Sequence, residues 1–240
     1  MRRHHPSDDR ATQGGAALDF ADVSIAPNEG RLTRQPLNLA VQAGELVLLG
    51  VPYLQQASTI ADVATGLVKA EAGTVSVLGY DWSHLSRNAV YALRGRIGRL
   101  LARGRWTEGL SVLENILLPQ LHHTERSREE LLQEAAESAR RFGLPGIPTT
   151  GHQDMASDDL QRAGCVRAFL GSPALILLPE PTLNSKSDIL PPLVNACLDA
   201  MYRGAAILWL TQRNDLVRDA RIPAAQRFVI NAGALEELRA

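Results

Sequence analysis

Three uninterrupted apolar runs constrain the fold of this chain more than any other feature. One lies within Gly44–Gly50, and the others are Ala174–Leu178 and Ala205–Leu210. A strand that is apolar on both faces has to be covered on both faces, which is typical of parallel sheets flanked by helices. Because stretches with helical spacing separate these runs, the sequence predicts an α/β core with a mostly parallel sheet.

Shorter strand patterns surround the three apolar runs. Alternation of apolar and polar residues predicts a strand over Ala17–Ile25. Further strands are predicted at Leu37–Val41, Thr74–Leu78 and Arg227–Ile230. These segments add strands of half-buried character to the doubly covered ones.

Helical patterns dominate the middle of the chain. A largely helical stretch is predicted from about Leu113 to Phe142, and another helix from about Leu160 to Leu170. Ser127 and Glu130 match a capping box, in which the serine accepts a backbone N–H and the glutamate reaches back to the cap residue. The sequence therefore predicts a helical subdomain inserted in the α/β core.

Charge and rare residue types exclude several functions. Lys+Arg and Asp+Glu number 25 and 26, a net charge of −1. This balance provides no basic field for nucleic acid, so no nucleic-acid partner is expected. Lys69 and Lys186 are the only lysines in the chain; Lys186 is predicted to be a solvated surface charge, and Lys69 to lie in a turn at a helix end. Cys165 and Cys197 are predicted to be buried free thiols, and no metal site is expected because the adjacent rings of His122–His123 point apart.

The segment Gly50–Thr59 has the layout of a phosphate-binding loop between a strand and a helix. In such a loop, backbone N–H groups wrap the phosphates, a lysine neutralises their charge and a Ser/Thr hydroxyl holds Mg²⁺. Ser58 and Thr59 keep the hydroxyls, but Ala57 stands at the lysine position. The following helix is predicted over Ala57–Val68, with Ser58 or Thr59 at its start.

Seven segments resemble, in their order and spacing, the ATPase subunits of ATP-binding cassette (ABC) transporters from Leu18 to about Gly233. They are Gly44–Gly50, Gly66–Trp82, Arg96–Leu101, Leu110–Pro119, Phe142–Gly146, Arg167–Thr182 and Ala205–Gln212. The resemblance implies a P-loop NTPase-like α/β fold with a mostly parallel core sheet, an antiparallel β subdomain and a helical subdomain. It implies a single domain at 17–240, with the helical subdomain inserted at about 103–170, whereas the charged N-terminal residues, which no hydrophobic segment follows, predict a disordered tail at 1–16.

The resemblance also assigns roles to single positions, most of which carry a different residue here. The family's adenine-stacking aromatic falls near Pro27, the loop glycines on Leu54 and Gln56, the lysine on Ala57, the Mg²⁺-coordinating glutamine on Ala102, the signature sequence on Met155–Asp159, the Mg²⁺-supporting aspartate on Pro179 and the switch histidine on Gln212. Glu180 retains the glutamate that polarises the attacking water. Because phosphoryl transfer depends on positioning and charge neutralisation, the loop is predicted to be vestigial and to bind no cofactor. Its remnant residues are Gly50, Ala57, Ser58 and Thr59.

Two interpretations stand beside each other for several of these residues. Glu180 is either a structural carboxylate at a strand end or a residual catalytic base. Gln212 either packs at a strand terminus or hydrogen-bonds a phosphate or Glu180. Asp158 and Asp159 either cap and begin a helix or form an acidic pair that repels a γ-phosphate. The structural interpretation is the simpler one in each case, so no catalytic residue is expected.

The preserved fold and the replaced positions together predict a catalytically inactive subunit. The resemblance implies docking on an integral-membrane permease from the cytoplasmic face of the cell membrane, and pairing as a homodimer or as a heterodimer with another ABC ATPase. The spacing of Arg96–Pro119 is closest to the branch that serves lipid and lipoprotein trafficking. The docking region corresponds to Arg103–His123, and the predicted contact residues are Trp106, Leu110, Val112 and Leu113.

Two other functions remain open from the sequence. The first is a working or partly working ATPase that binds Mg-ATP at a non-standard site, where Glu180 acts with Arg103 or Arg105 in the lysine's place. An arginine is longer and less compact than a lysine, so such a replacement alters the geometry. The second is a free-standing regulator that binds no permease.

Overall fold

The computed structural model describes residues 15–25, 35–101, 105–183 and 189–238, and its strands form two sheets. The strands are β1 Leu18–Ser24, β2 Leu37–Val41, β3 Leu46–Gly50, β4 Ala72–Val77, β5 Tyr80–Asp81, β6 Ile97–Arg99, β7 Leu175–Pro179, β8 Ala206–Thr211, β9 Gln226–Asn231 and β10 Ala234–Glu237. The six-stranded sheet has the order β10-β9-β3-β8-β7-β6 and is parallel except for the β9–β10 edge pair. The four-stranded sheet has the order β2-β1-β4-β5 and is antiparallel.

Seven helices lie within the described residues, beside two short 3₁₀ turns. They are α1 Leu54–Ala64, α2 Arg87–Arg94, α3 Val112–His123, α4 Arg128–Arg141, α5 Ser157–Phe169, α6 Leu190–Tyr202 and α7 Asn214–Val217. Helices α3, α4 and α5 lie between β6 and β7 in the chain and pack against one another. The predicted α/β fold, with a mostly parallel core sheet, a separate antiparallel sheet and a helical group, is confirmed.

The three uninterrupted apolar runs of the sequence form β3, β7 and β8, which are packed on both faces of the central sheet. Every residue of β3, β7 and β8 is buried. Along β8, Ile207 and Trp209 join the core on the side of α3–α6, whereas Ala206, Leu208 and Leu210 join the core beside α1 and the antiparallel sheet. Both faces of the central sheet are thus packed, as the composition of these strands requires.

Two helix starts differ from the sequence predictions. The helix predicted from Ala57 begins at Leu54 with Tyr53 as its N-cap, so the prediction that Ser58 or Thr59 starts it was wrong. The N-cap of α5 is Ala156, so Asp158 and Asp159 do not cap that helix; both lie in its first turn, as predicted. Carboxylates in a first turn are stabilised by the helix dipole without occupying the cap position.

The predicted capping box of α4 is confirmed. The Glu130 N–H donates to the Ser127 hydroxyl over 3.2 Å, and the Ser127 N–H donates to the Glu130 carboxylate over 3.0 Å. A second box, formed by Ser111 and Glu114, begins α3 and was not predicted. In the described part of the chain, no helix has the length and apolar character that crossing a membrane requires.

Candidate functional site

The carboxyl ends of β3, β7 and β8 meet at one edge of the central sheet. Gly50 is paired in register with Thr211, and Pro179 with Leu210. The N–H of Val51 donates to the Thr211 carbonyl over 2.9 Å, which fixes the chain as it leaves β3. This edge brings together the remnant loop, the Glu180 segment and the Gln212 segment, all of which the sequence singled out.

The remnant loop is short because α1 begins early. Tyr53 is 67% exposed, and its side chain makes no cap hydrogen bond to the helix. The N–H of Gln56 donates to the Tyr53 carbonyl over 3.0 Å, so it is already used inside the first turn. Positions 54–56, which the resemblance assigns to a glycine-rich cradle, are therefore helical here.

Ala57 lies inside α1 with no exposed surface. Its methyl group belongs to the core beside the antiparallel sheet, together with Ile60 and Ala61 of the same helix. A side chain at this position points into packed apolar atoms, so residue 57 offers no charge and no polar atom to the loop.

The two hydroxyls of the loop have different surroundings. The Thr59 side chain is buried, and its hydroxyl donates to the Gln55 carbonyl over 3.0 Å, a bond within the helix. Ser58 is half-buried, and its carbonyl accepts a hydrogen bond from Arg99 over 3.3 Å. Of the two hydroxyls, that of Thr59 is used inside the helix, whereas that of Ser58 makes no such bond in the described part of the chain.

Arg99 is a charged residue of this region that the sequence analysis missed. Its guanidinium reaches from β6 to α1, where Nη1 donates to the Asp62 carboxylate over 2.7 Å and to the Thr65 hydroxyl over 3.3 Å. The side chain is 12% exposed. Burial lowers the pKa of Arg99, the Asp62 carboxylate opposes that effect, and the charge of Arg105 adds to the lowering. No local motif reveals this pair, because its partners are 37 residues apart.

Glu180 is buried at the end of β7 and is bonded to the end of β8. Its carboxylate accepts hydrogen bonds from the Thr211 hydroxyl, over 3.2 Å, and from the Gln212 N–H. Burial raises the pKa of Glu180, while these two bonds and the charge of Arg213 act in the opposite direction. The backbone of Glu180 is left-handed, with φ of 51°. Gln212 therefore meets Glu180 through its backbone N–H, and its own side chain is exposed.

The residues around Glu180 connect this edge to the helical group. The Gln161 side chain of α5 donates to the Pro181 carbonyl over 2.8 Å. Asp158 and Asp159, one turn earlier in α5, are half-buried. Pro179 completes β7 and contributes neither an N–H donor nor a carboxylate.

The four predicted docking residues are not equally accessible. Val112 has no exposed surface and lies in the core with α3. Trp106, Leu110 and Leu113 are half-buried. The Arg167 guanidinium stacks over the Trp106 ring at 4.5 Å from its centroid. Burial lowers the pKa of Arg167 to about 10.

A buried amide braces the loop before α3, residues 105–111. The side chain of Asn115 accepts from the Thr107 N–H over 2.7 Å and donates to the Thr107 carbonyl over 3.2 Å. It also donates to the carbonyls of Leu110 and Ser111, at 3.4 and 3.0 Å. These bonds fix the loop backbone from Thr107 to Ser111, with Leu110 half-buried and Trp106 packed against the core.

The cysteines and Lys69 lie outside the candidate site. Cys165 and Cys197 are free and buried as predicted, and burial raises the pKa of Cys165 to about 12 and that of Cys197 further. Lys69 is exposed. Within the ranges that the structure covers, no cluster of three or more His, Cys, Asp or Glu residues suits a metal ion. Of the positions to which the sequence assigns a role, 1–14, Pro27, Ala102, Arg103 and Lys186 lie outside the described residues.

The chain is similar in sequence to ATP-binding proteins of bacterial transport systems. It is 30% identical over 208 residues to the lipoprotein-releasing system ATP-binding protein LolD 1 of Rhodospirillum rubrum, covering 85% of this chain and 92% of that protein. It is 31% identical over 172 residues to the phosphonates import ATP-binding protein PhnC of Alcaligenes faecalis, covering 69% of this chain. It is 29% identical over 209 residues to the methionine import ATP-binding protein MetN of Rhizobium etli, covering 84% of this chain. The matches span 62% of that PhnC and 55% of that MetN. No protein-family model matches the chain.

Solved structures with the same fold are also known. The dimeric structure of MJ0796, a bacterial ABC transporter cassette, superposes with a TM-score of 0.79 at 20% identity, covering 93% of this chain and 99% of that one. The ATP-binding subunit of an ABC transporter superposes with a TM-score of 0.76 at 21% identity, covering 92% of this chain and 90% of that one. At these identities the likeness is one of fold.

Proposed function

The chain belongs to the ATP-binding subunits of ABC transporters, and we propose that it serves its transporter as a subunit that does not hydrolyse ATP. Subunits of this family pair with membrane permeases and dimerise. In this proposal the chain keeps the docking and pairing roles of the family and lacks its chemistry. Its place is the cytoplasmic face of the membrane that holds the permease.

The main support for the proposed lack of ATP hydrolysis is the environment of residue 57. A nucleoside triphosphate needs a cation and free backbone N–H groups at this loop, because removing a polyanion from water without them is costly. Ala57, at the lysine position, is fully buried among apolar residues and offers no cation, and Leu54 and Gln56 stand where the loop needs glycines. The loop therefore does not fit the magnesium–nucleotide that the family implies.

The remaining carboxylate supports the same conclusion. A general base has to reach the attacking water. The Glu180 carboxylate is directed to the Gln212 N–H and the Thr211 hydroxyl, which are groups of the neighbouring strand. Pro179, which precedes it, brings no oxygen ligand for a metal. We assign Glu180 the structural role of joining the ends of β7 and β8.

The alternative of a working ATPase has less support from the contacts. It requires an arginine that is free to replace the lysine. Arg99, the arginine bonded to α1, already donates to Asp62 and to the Ser58 carbonyl. Arg105 is exposed and makes no ion pair among those seen in the described chain, but the loop it would serve lacks a glycine cradle.

A binding measurement tests the proposal directly. The full-length chain is titrated with methylanthraniloyl-ATP in the presence of Mg²⁺, and phosphate release from ATP is followed in parallel. We expect no saturable binding in the micromolar range, which corresponds to about 8 kcal/mol of binding free energy, and no turnover. Micromolar binding, or a turnover that Glu180→Gln abolishes, would establish the alternative.

We propose that the permease contacts the half-buried side chains around the loop before α3. Leu110 and Leu113 present apolar surface there, while Val112 serves the core behind them. Leu110→Asp combined with Leu113→Asp is expected to reduce recovery of the chain with its membrane complex at least about tenfold, because buried charge at an apolar contact is costly. Tyr202→Asp is the matched control, since Tyr202 is 95% exposed on α6, away from this loop. Equal losses in both variants would contradict the assignment.

Purification of the native complex identifies the other subunits. The similarity to LolD supports a lipid or lipoprotein cargo, and we propose that class of transporter here. We expect an integral-membrane permease and either a second copy of this chain or an ABC ATPase with intact nucleotide-binding residues. Recovery of the chain alone would favour a free-standing regulator.

A further inference from the structure

A mostly apolar stripe runs along the exposed side of α6. Pro191, Asn195, Leu198 and Tyr202 follow one another at helical spacing, and all four are exposed. Leu198 is 45% exposed, and Tyr202 is 95% exposed. Residues three and four positions apart are neighbours on a helix surface, so these side chains form one continuous strip. Tyrosine is enriched where proteins contact one another, because it has a large apolar body and a polar tip.

Charges of both signs lie on one flank of this stripe. Asp199 and Arg203 each stand one position after a large side chain of the stripe, and both are exposed. The Arg141 guanidinium donates to Glu137 over 2.6 Å and to Asp199 over 3.3 Å, so one cation faces two carboxylates. Among the described residues, Arg203 makes no ion pair. The flank thus offers a carboxylate that can receive a second cation and a guanidinium that can receive a carboxylate.

This pattern is complementary to itself when two copies of α6 lie antiparallel. Leu198 and Tyr202 are four positions apart, and so are Asp199 and Arg203. A two-fold axis beside Ala200 therefore places Tyr202 of one copy on Leu198 of the other and brings Arg203 of one copy to Asp199 of the other. In an antiparallel helix pair the two charged flanks lie on the same side of the contact, whereas a parallel pair would turn them away from each other. The arrangement of charges therefore favours a second copy, bound antiparallel, as the occupant of this surface.

A groove between α4 and α6 lies beside the charged flank. Its volume is about 760 Å³, and its lining includes Phe142 and Phe169 as well as Asp199 and Arg203. A second copy on α6 therefore lies next to α4 as well. Stable interfaces bury about 1,200–2,000 Å² of surface, which is more than one exposed helix face from each copy provides. We therefore expect the association to be weak.

We propose that the exposed face of α6 binds the same face of a second copy of this chain. The face consists of Pro191, Asn195, Leu198, Asp199, Tyr202 and Arg203. None of these residues belongs to the remnant nucleotide loop or to the loop before α3. The contact therefore goes beyond the proposed function and does not depend on it, and it joins two copies without a nucleotide.

Sedimentation equilibrium of the full-length chain, without nucleotide, tests the proposal at about 1–300 µM, a range that brackets micromolar affinity. We expect a monomer–dimer equilibrium with a dissociation constant of about 10–100 µM. Tyr202→Asp should weaken the association at least about tenfold, because it places a charge within the apolar contact. Tyr91→Asp makes the same change at an exposed tyrosine of α2 and is the matched control, which should associate like the unaltered chain.

Charge reversal tests the antiparallel register. In the proposed dimer, Asp199→Lys and Arg203→Glu each create two like-charge contacts, and each should weaken self-association at least about fivefold at low salt. An equimolar mixture of the two variants places opposite charges at both contacts. We expect the dissociation constant of the mixed dimer to return to within about twofold of that of the unaltered chain. Far-UV circular dichroism checks the folding of each variant.

Three results would overturn the inference. They are an unaltered chain that stays monomeric at every concentration, a Tyr202→Asp variant that associates as the unaltered chain does, and a mixture that associates no better than its separate components. Tyr202→Asp also keeps the two proposals distinguishable. Its loss of self-association supports the α6 contact, whereas a loss of recovery with the permease equal to that of the loop variant contradicts the proposed docking.

Discussion

The edge of the central sheet where β3, β7 and β8 end, here called the strand-end edge, and the loop before α3, residues 105–111, use their polar groups in opposite ways. At the edge, Glu180 is bonded to Thr211 and Gln212, and Arg99 is bonded to Asp62, so charged groups satisfy one another inside the protein. In the loop, a single amide bonds the backbone from within and leaves the apolar side chains half-exposed.

At the sheet edge, the polar groups are bonded within the protein. In the loop, apolar side chains remain partly exposed and can contact another molecule. An edge that binds a polyanion needs unsatisfied donors, and a surface that binds a partner needs ordered apolar groups. The first condition is poorly met at the strand-end edge, while the second is met in the loop. A subunit that lacks the reaction but keeps its contacts is what this contrast supports.

Removing the Asn115 amide, which bonds the backbone of the loop before α3, should reduce stability the most. Asn115→Ala leaves the Thr107 N–H and several carbonyls without their partner, which we expect to cost about 3 kcal/mol of unfolding free energy. Urea unfolding measures the loss, and Asn88→Ala, in the exposed face of α2, is the control. A loss no greater than in the control would show that the loop is held by other contacts.

A smaller effect is expected at Glu180. Glu180→Gln keeps an acceptor oxygen but loses the charge, and we expect a destabilisation of about 1 kcal/mol. Because the pKa of Glu180 is raised in the folded chain, the folded state binds its proton more readily than the unfolded state. The stability linked to protonation is therefore present at low pH and lost as the pH rises through the folded pKa.

Urea unfolding of both proteins at pH 7 and at pH 4.5 checks this sign. The stability difference in favour of the unaltered chain should widen as the pH falls. A difference that narrows on acidification would mean that the hydrogen bonds to Thr211 and Gln212, rather than burial, dominate the titration of this carboxyl.

The smallest effect is expected at the exposed tip of the remnant loop. Tyr53 packs little surface and provides no cap hydrogen bond, so Tyr53→Ser should change the unfolding free energy by less than about 0.5 kcal/mol. Serine at this N-cap position can bond the first turn, which offsets the lost contacts. A large loss on thermal or urea unfolding would show that the tip is part of the core.

Local patterns predicted the elements that local rules govern. The buried strands β3, β7 and β8 follow from their unbroken apolar composition, and the start of α4 follows from its capping box. The start of α1 was mispredicted because Ser58 and Thr59 are favoured cap residues, whereas the structure uses Tyr53, which caps with no side-chain bond. Helix α6 was not predicted; Pro191 and Pro192 occupy its first turn, where a proline loses no helix hydrogen bond.

Residue type and spacing over a few residues were enough to predict the fold class, the doubly covered strands and the residues at the positions of the nucleotide loop. How those residues are used depends on long-range contacts. Arg99 and Asp62 join β6 to α1 across 37 positions of the chain, and Glu180 and Gln212 join the ends of β7 and β8 across 32 positions, so only the packed fold brings each pair together. Burial then determines which side chains remain at the surface, and no local pattern encodes that.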